Sequence, residues 1–299
     1  MRSFVPALLT LLAGLLVACA SPTPGPPPTG EPTALARSAG GREVIVATTT
    51  TTQDSGLLDV LIPAFEQQTG YRAKTIVQGT GAVLALAARG EADVVLSHSP
   101  EAEEEWMAQG NGVDRRLVMH NDFVIVGPPS DPANVRSAAD AAAAFKAIAD
   151  GGAPFISRGD GSGTHARELA LWHRAGLQPK GQPWYVESGS GQGQTLTIAD
   201  QRGAYALADR GTWLAFRSRL QLELLLEGDP ALLNIYHVMP VNAQRFPNVD
   251  INAAGGRAFA DFLVSAEGQQ VIADFGRDKF GQALFTPDAG KREEDLARS

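Results

Sequence analysis

The stretch from Ser157 to Thr164 constrains this chain most, because it joins a short apolar strand to a helix almost entirely through glycines and hydrogen-bond donors. Glycine tolerates positive φ and lets the backbone approach a ligand closely. Ser162 and Thr164 are good helix-capping residues, so the first N–H groups of the helix would face the loop. Arg158 adds the only full positive charge in the loop, on a planar fork that suits an oxyanion. The stretch predicts an anion-binding loop, with an ordinary strand–turn–helix connection as the alternative.

The same order of apolar strand, hydroxyl-rich loop and helix occurs at three other places. Residues 44–58 contain five consecutive threonines, residues 76–84 place Thr80 at the expected helix cap, and residues 184–196 lead to Thr195. Alternation of strands and helices predicts an α/β fold with mainly parallel sheets flanked by helices. Ligands bind such sheets at the carboxyl ends of the strands. We therefore expect these loops to surround one ligand.

The charge balance limits the kind of partner. The chain has 299 residues and a formal net charge of −8, which argues against a nucleic-acid backbone as ligand. An acidic protein that binds an anion must do so through local positive charge. The five histidines do not have the spacing of a metal site, and we expect neither a metal nor another cofactor.

The N-terminus predicts export and anchoring. Residues 1–18 combine a charged start with an apolar run that is too short for a comfortable membrane span, as in a signal peptide. Cys19, the single cysteine, follows a segment similar to the bacterial lipobox, which predicts a lipid anchor and a location in the cell envelope, outside the cytoplasm. The alternative is a plain secretory signal. Residues 19–42 are rich in proline and predict a tether.

The folded part is expected to form two lobes. Residues 122–129 predict a buried strand that ends in a break, where the chain can cross to a second lobe, and it can return near residues 236–241. The expected first lobe comprises residues 43–127 and 236–299, and the second lobe comprises residues 128–235. These ranges define the first lobe and the second lobe.

Five segments together resemble the substrate-binding proteins of tungstate ABC transporters, within the periplasmic-binding-protein type II superfamily. The matching segments are 47–58, 79–81, 121–128, 157–165 and 209–216. The resemblance implies two lobes, joined by two crossover strands that act as a hinge, which close on one tetrahedral oxyanion. It also implies a monomer that delivers the anion to a membrane permease and catalyses no reaction.

The loops and the resemblance together predict the ligand-binding residues. Each hydrogen bond to a charged group contributes about 1.5–3 kcal/mol, and nanomolar affinity corresponds to roughly 12 kcal/mol, so about six good donors suffice. The expected donors come from both lobes: Thr49, Thr50, Thr51, Thr80, Ser157, Arg158, Ser162, Gly163, Thr164 and Thr195.

Three alternatives remain open on the sequence. Molybdate is nearly isosteric with tungstate. Protonated phosphate would need a carboxylate acceptor, and Asp54 and Asp160 lie in the right loops, although we expect both to accept backbone N–H groups. A lipid-anchored hydrolase would use Ser162 as nucleophile and His165 as base.

Overall fold

The computed structural model describes residues 42–296, which belong to one compact unit. The predicted signal peptide, the predicted lipid anchor at Cys19 and all but the last residue of the predicted tether lie outside the described residues. Within residues 42–296, no helix is both long enough and apolar enough to span a membrane.

The described residues form ten strands and twelve α-helices. The strands are β1 (Glu43–Thr49), β2 (Arg72–Gln78), β3 (Val94–Ser97), β4 (Arg116–Gly127), β5 (Phe155–Ser157), β6 (Tyr185–Glu187), β7 (Ala206–Asp209), β8 (Glu223–Leu226), β9 (Leu233–Pro240) and β10 (Thr286–Pro287). The helices are α1 (Thr50–Ser55), α2 (Leu58–Thr69), α3 (Thr80–Ala87), α4 (Pro100–Ala108), α5 (Ala141–Asp150), α6 (Gly163–Arg174), α7 (Gln192–Arg202), α8 (Arg210–Phe216), α9 (Ala253–Val264), α10 (Ala266–Asp274), α11 (Arg277–Phe280) and α12 (Glu293–Leu296).

The N-terminal strands form the predicted parallel sheet. β1 pairs in parallel with β2 on one side and with β3 on the other. Val44 and Val46 pack into one apolar cluster with α2 and α9, whereas Ile45 and Ala47 pack into another with α3. Because a strand alternates its side chains between two faces and both faces are covered, β1 is apolar at every position from Val44 to Ala47.

Two long strands connect the expected lobes. β4 pairs with β9 from Arg116 to Asp122, and then with β7 from Phe123 to Val126. The strand that leaves a lobe and the strand that returns to it must run in opposite directions, so β4 and β9 are antiparallel. The exact lobe limits at residues 127 and 236 stay a prediction.

The predicted α/β class is confirmed, but the expectation of mainly parallel sheets needs a correction. Among the described strands, parallel pairing joins β1 to β2 and β3 and joins β5 to β6, and a single parallel bridge links Phe155 to Tyr205. Among the described strands, every pair that includes β4 or β9 is antiparallel. The order of strands and helices in the sequence indicates only how neighbouring strands connect. It does not indicate the antiparallel pairing, because the crossover strands pair with strands far along the chain.

An aromatic cluster supports the loop that begins at Arg158. The cluster contains four fully buried side chains, Phe145, Phe155, Trp172 and Tyr205. The ring centroids of Phe145 and Trp172 are 4.4 Å apart. Phe155 lies on β5 and Trp172 on α6, so the cluster fixes the strand and the helix on either side of the loop. Aromatic pairs of this kind add about 0.5–1.5 kcal/mol each beyond the area they bury.

Candidate functional site

Four helices follow the strands of two parallel pairs, either at once or after a short loop. β1 leads into α1, β2 into α3, β5 into α6 and β6 into α7. The first-turn N–H groups of a helix have no acceptor within the helix, and the dipole makes this end positive. The two lobes meet here, because a Cβ atom on Gly163 would lie 2.5 Å from Cε1 of His98, and one on Gly79 would lie 3.8 Å from the carbonyl oxygen of Gly161.

Arg158 lies at the centre of this region with two nitrogen atoms unused. Its side chain is almost fully buried, and its Nη2 donates to Oδ2 of Asp160 at 2.5 Å. Oδ1 of Asp160 accepts the N–H of Ser162 at 3.1 Å. Burial alone would raise the pKa of Asp160, but the hydrogen bonds from Ser162 and the charge of Arg158 hold it below its usual range. Asp160 thus fixes one edge of the guanidinium, while Nε and Nη1 have no hydrogen-bond partner among residues 42–296.

Three of the candidate threonines share this property, as does Thr48 near the end of β1. Thr51, Thr80 and Thr164 are at most 5% exposed, and their Oγ1 atoms are buried without a hydrogen-bond partner in the described part of the chain. A buried polar atom without a partner costs about 1–3 kcal/mol, so folded proteins rarely leave several of them together. The three hydroxyls and the two nitrogens of Arg158 are all able to donate. Donors of this kind suit an anionic ligand.

Thr80 corrects one detail of the sequence reading. The cap of α3 is Gly79, in extended backbone conformation, and Thr80 is the first helical residue. A capping threonine would spend its oxygen on a backbone N–H group. Because glycine takes the cap position, the hydroxyl of Thr80 stays uncommitted.

The other first-lobe candidates are placed differently. Oγ1 of Thr49 caps α1, with the N–H of Thr52 at 3.4 Å, and contacts Nε2 of His98 at 2.9 Å, so its bonding capacity is used within the protein. Thr50 is the first residue of α1 and is half-buried. Ligand binding by these two side chains stays a prediction.

In the second lobe, three of the candidate hydroxyls hold loops. Oγ of Ser162 caps α6 by accepting the N–H of His165, and Oγ of Ser157 accepts the N–H of Gly159. Oγ1 of Thr195 contacts Oγ of Ser188 at 2.8 Å and donates to the carbonyl oxygen of Gly191. Gly163 is the first residue of α6, where only its backbone N–H could reach a ligand. Their roles as ligands also stay predictions.

Sequence reasoning missed His98, which follows β3. Nδ2 of Asn234 donates to Asn121 and to the hydroxyl of Tyr236, so Oδ1 of Asn234 accepts the proton on Nδ1 of His98 at 2.8 Å. Nε2 must then accept the hydroxyl proton of Thr49. Burial lowers the pKa of His98 to about 4, so the ring is neutral at pH 7. This network joins the end of β1 to the crossover strands β4 and β9, and no local pattern around residue 98 signals it.

The carboxylates near Arg158 are mostly engaged. Both oxygens of Asp160 have partners, and the fully buried Asp209 caps α8 through the N–H and hydroxyl of Thr212. Asp54 differs from our expectation, since it is exposed on α1 and accepts no hydrogen bond from the described residues. Although the residue is exposed, its carboxyl group loses part of its hydration to neighbouring groups, and this raises the pKa of Asp54. The nearby positive charge of Arg158 acts in the opposite direction and lowers that pKa.

The hydrolase alternative requires a contact that the structure does not form. Nδ1 of His165 accepts the N–H of Gly161 at 3.0 Å, and Ser162 uses its Oγ as a helix cap. No hydrogen bond joins the ring of His165 to Oγ of Ser162 in the described residues. A nucleophile and its base are therefore not paired here.

Comparison with known proteins places this arrangement among binding proteins. The family model for the PBP superfamily domain matches residues 29–267. The tungstate-binding protein TupA of Peptoclostridium acidaminophilum is 47% identical over 250 residues, which cover 83% of this chain and 86% of that protein. The solved structure of the tungstate-binding protein TupA from Desulfovibrio alaskensis G20 is 38% identical, with a TM-score of 0.73 over 83% of this chain and 99% of that chain. The structure titled as the tungstate ABC transporter from Geobacter sulfurreducens is 46% identical, with a TM-score of 0.69 over 78% of this chain and 98% of that chain.

Proposed function

Because this chain belongs to the family of PBP superfamily domains, we propose that it captures a tetrahedral oxyanion, tungstate first of all, and delivers it to an ABC importer. The observation that carries the proposal is a set of five buried donor atoms that have no hydrogen-bond partner within residues 42–296. Two belong to Arg158, and one each to Thr51, Thr80 and Thr164. The relatives named for tungstate binding give the choice of anion.

The donor set suits a fully deprotonated oxyanion. Hydrogen bonds to a charged group are worth about 1.5–3 kcal/mol each, so five side-chain donors and the N–H groups of the helix N-termini can replace the hydration of a dianion. Thr51 and Thr80 belong to the first lobe, and Arg158 and Thr164 belong to the second. An anion held by both lobes favours the arrangement in which they are in contact, so binding and closure are coupled.

Phosphate fits the donor set less well. At neutral pH phosphate carries at least one proton, which needs an acceptor, and the carboxylates of Asp160 and Asp209 are already engaged. Asp54 remains, but it is exposed on α1. Molybdate has the geometry and charge of tungstate, and we propose it as the second ligand of the same site.

Isothermal titration calorimetry of residues 20–299 with tungstate, molybdate, sulfate and phosphate tests the function. We expect tight binding of tungstate, or of tungstate and molybdate, and weak or no binding of the other two. Tight phosphate binding without a response to tungstate would overturn the proposal. Turnover of ester substrates that is lost in Ser162→Ala would favour the hydrolase instead.

The location of the protein belongs to the same proposal. Substrate-binding proteins of ABC transporters as a class act outside the cytoplasm, and we propose the same place for this chain. We further propose that acylation of Cys19 anchors it to a membrane and that residues 20–42 act as the tether between the lipid and the fold. The anchored monomer would meet the permease by diffusion within the membrane plane.

A further inference from the structure

A cavity of about 250 Å³ adjoins the proposed anion site. It lies between α3 and α4 of the first lobe and α6 of the second, so both lobes form its walls. Thr80 and Gly163, which are also candidates for binding the anion, line it. Thr80 is therefore common to the cavity and to the donor set described above.

Two charged side chains of opposite sign line the same cavity, Arg167 on α6 and Glu101 on α4. Arg167 is half-buried but forms no ion pair and no side-chain hydrogen bond within residues 42–296. The half-buried Arg115 and Arg210, in contrast, each contact two carboxylates. Burial lowers the pKa of Arg167, and the charge of Glu101 opposes this from beyond ion-pair distance.

We propose that this cavity is the encounter site for the oxyanion, and that Arg167 attracts the anion there before Arg158 and the threonines bind it. This inference rests on the proposed function. A guanidinium that has no ion pair in the described chain, in a cavity that Thr80 also lines, supplies the local positive charge that an acidic protein needs in order to attract an anion. Charge placed along a cleft raises association rates by roughly 10- to 1000-fold in steered systems, and salt screens the effect.

One rival explanation gives Arg167 a purely structural role. Arg167 and Glu101 lie on opposite lobes, and their attraction could hold the lobes together. Removing either charge would then weaken binding in the same way. In the encounter-site proposal the two charges act in opposite directions, because Glu101 repels the incoming anion.

The experiment measures sodium tungstate binding to purified residues 20–299 at 20 and 200 mM NaCl. Calorimetry gives the Kd, and stopped-flow tryptophan fluorescence gives the association rate. The variants are Arg167→Gln and Glu101→Gln. The control is Arg174→Gln, which changes the net charge equally from an exposed position two turns further along the same face of α6, roughly 10 Å away.

At 20 mM NaCl we expect Arg167→Gln to lower the association rate about 3- to 10-fold and raise the Kd by a similar factor. Glu101→Gln should do the opposite, and Arg174→Gln should stay within twofold of the parent protein. All differences should shrink at 200 mM NaCl. Equal values for Arg167→Gln and Arg174→Gln, or weaker binding in Glu101→Gln, would overturn the inference alone. A parent protein that binds no oxyanion would overturn the proposed function, and this inference with it.

Discussion

At the scale of single residues, the site depends on which polar atoms the protein leaves unused. Five threonines in a row open the first loop. Thr49 bonds to Thr52 and to His98, whereas Oγ1 of Thr51 has no partner in the described chain. Arg158 is similar, because Asp160 holds one edge of its guanidinium and leaves the other edge free. The chemistry of the site thus follows from pairing rather than from residue type alone.

Arg158→Ala should weaken tungstate binding more than any threonine substitution. The substitution removes two donors and deprives the carboxylate of Asp160 of its contact with Arg158. Loss of one partner of a buried charge pair costs about 2–5 kcal/mol or more. Thr80→Ala should cost about 1.5–3 kcal/mol. Arg158→Lys should fall between them, since one ammonium cannot serve Asp160 and the anion as the planar fork does. Calorimetry at one salt concentration measures all three, and an unchanged Kd for Arg158→Ala would place the anion elsewhere.

Glu168 is a buried carboxyl group just behind the Arg158 loop. Its Oε1 accepts from the indole N–H of Trp172 at 3.0 Å and from the hydroxyl of Tyr185 at 2.8 Å. Burial nevertheless raises its pKa from an ordinary value of 4.5 to about 7. The folded protein therefore holds a proton that the unfolded chain loses above pH 4.5.

From this pKa we predict that Glu168 makes the fold less stable as pH rises from 4.5 to 7. The folded state binds more protons in that range, so the free energy of unfolding falls with pH, by up to about 3 kcal/mol. Glu168→Gln should remove this contribution. Urea unfolding at pH 4.5, 5.5, 6.5 and 7.5 measures it, with the parent protein as reference.

His98 should act in the opposite sense, which makes it the matched comparison. Its pKa is lowered from 6.5 to about 4, so its contribution is present above pH 6.5 and is lost as pH falls through 4. The two groups nearly cancel between pH 4.5 and 6.5. Stability of Glu168→Gln should therefore rise with pH in this range, whereas that of His98→Gln should fall. Parallel profiles for both variants would contradict the assigned shifts.

At the scale of elements, helix N-termini placed after parallel strands supply the framework of the site. The turn from β5 to α6 brings Gly163 against the ring of His98, and no side chain fits between them. A glycine at this position is therefore required by the contact between lobes rather than by backbone conformation. The contact brings Thr164 and Arg158 toward Thr51 and Thr80.

Gly163→Ala should weaken anion binding while leaving the fold intact. The new methyl group would lie 2.5 Å from Cε1 of His98, closer than real Cβ contacts allow, so α6 and β3 must separate. Because the donors come from both lobes, we expect the Kd to rise about tenfold or more, which corresponds to roughly 1.4 kcal/mol. Gly191→Ala is the control, since its added methyl meets nothing within 4 Å. Equal Kd values for the two variants would show that this contact does not limit binding.

At the scale of the whole molecule, the two crossover strands β4 and β9 connect the lobes and also reach the site. Asn121 of β4 and Asn234 of β9 extend the network that orients His98. At the point where β4 changes partners, Asp122 forms a two-point ion pair with Arg210 at the start of α8. The two crossover strands thus carry the side chains that orient His98, whose ring packs against Gly163.

The proposed anchor also concerns the whole molecule. The full-length protein expressed in a bacterium should fractionate with membranes, because an acylated Cys19 adds lipid chains, each worth about 0.8 kcal/mol per buried methylene. Cys19→Ser should move it to the soluble fraction and abolish labelling with a fatty-acid analogue. Tungstate binding by the released protein should be unchanged, and membrane fractionation that persists in the variant would contradict the anchor.

The sequence by itself determined the features that depend on near neighbours. Strand, loop and helix follow one another as predicted from the apolar runs and the caps, so the loop that begins at Arg158 and the helix start near Thr80 were predictable. Matching segments added the family and the ligand class. Each of these signals lies within about fifteen residues, where spacing and turn chemistry act directly.

The tertiary structure decided what depends on residues far apart in the chain. Thr49 is committed because it bonds to His98, 49 residues further along the chain, and Asn234, 185 residues from Thr49, orients that histidine. Contacts between residues far apart in the chain also determine the antiparallel pairing of β4 with β9 and the cavity that Arg167 and Glu101 line. A hydroxyl or a guanidinium is available to a ligand only where folding leaves it without a partner, and only the folded chain brings those partners together.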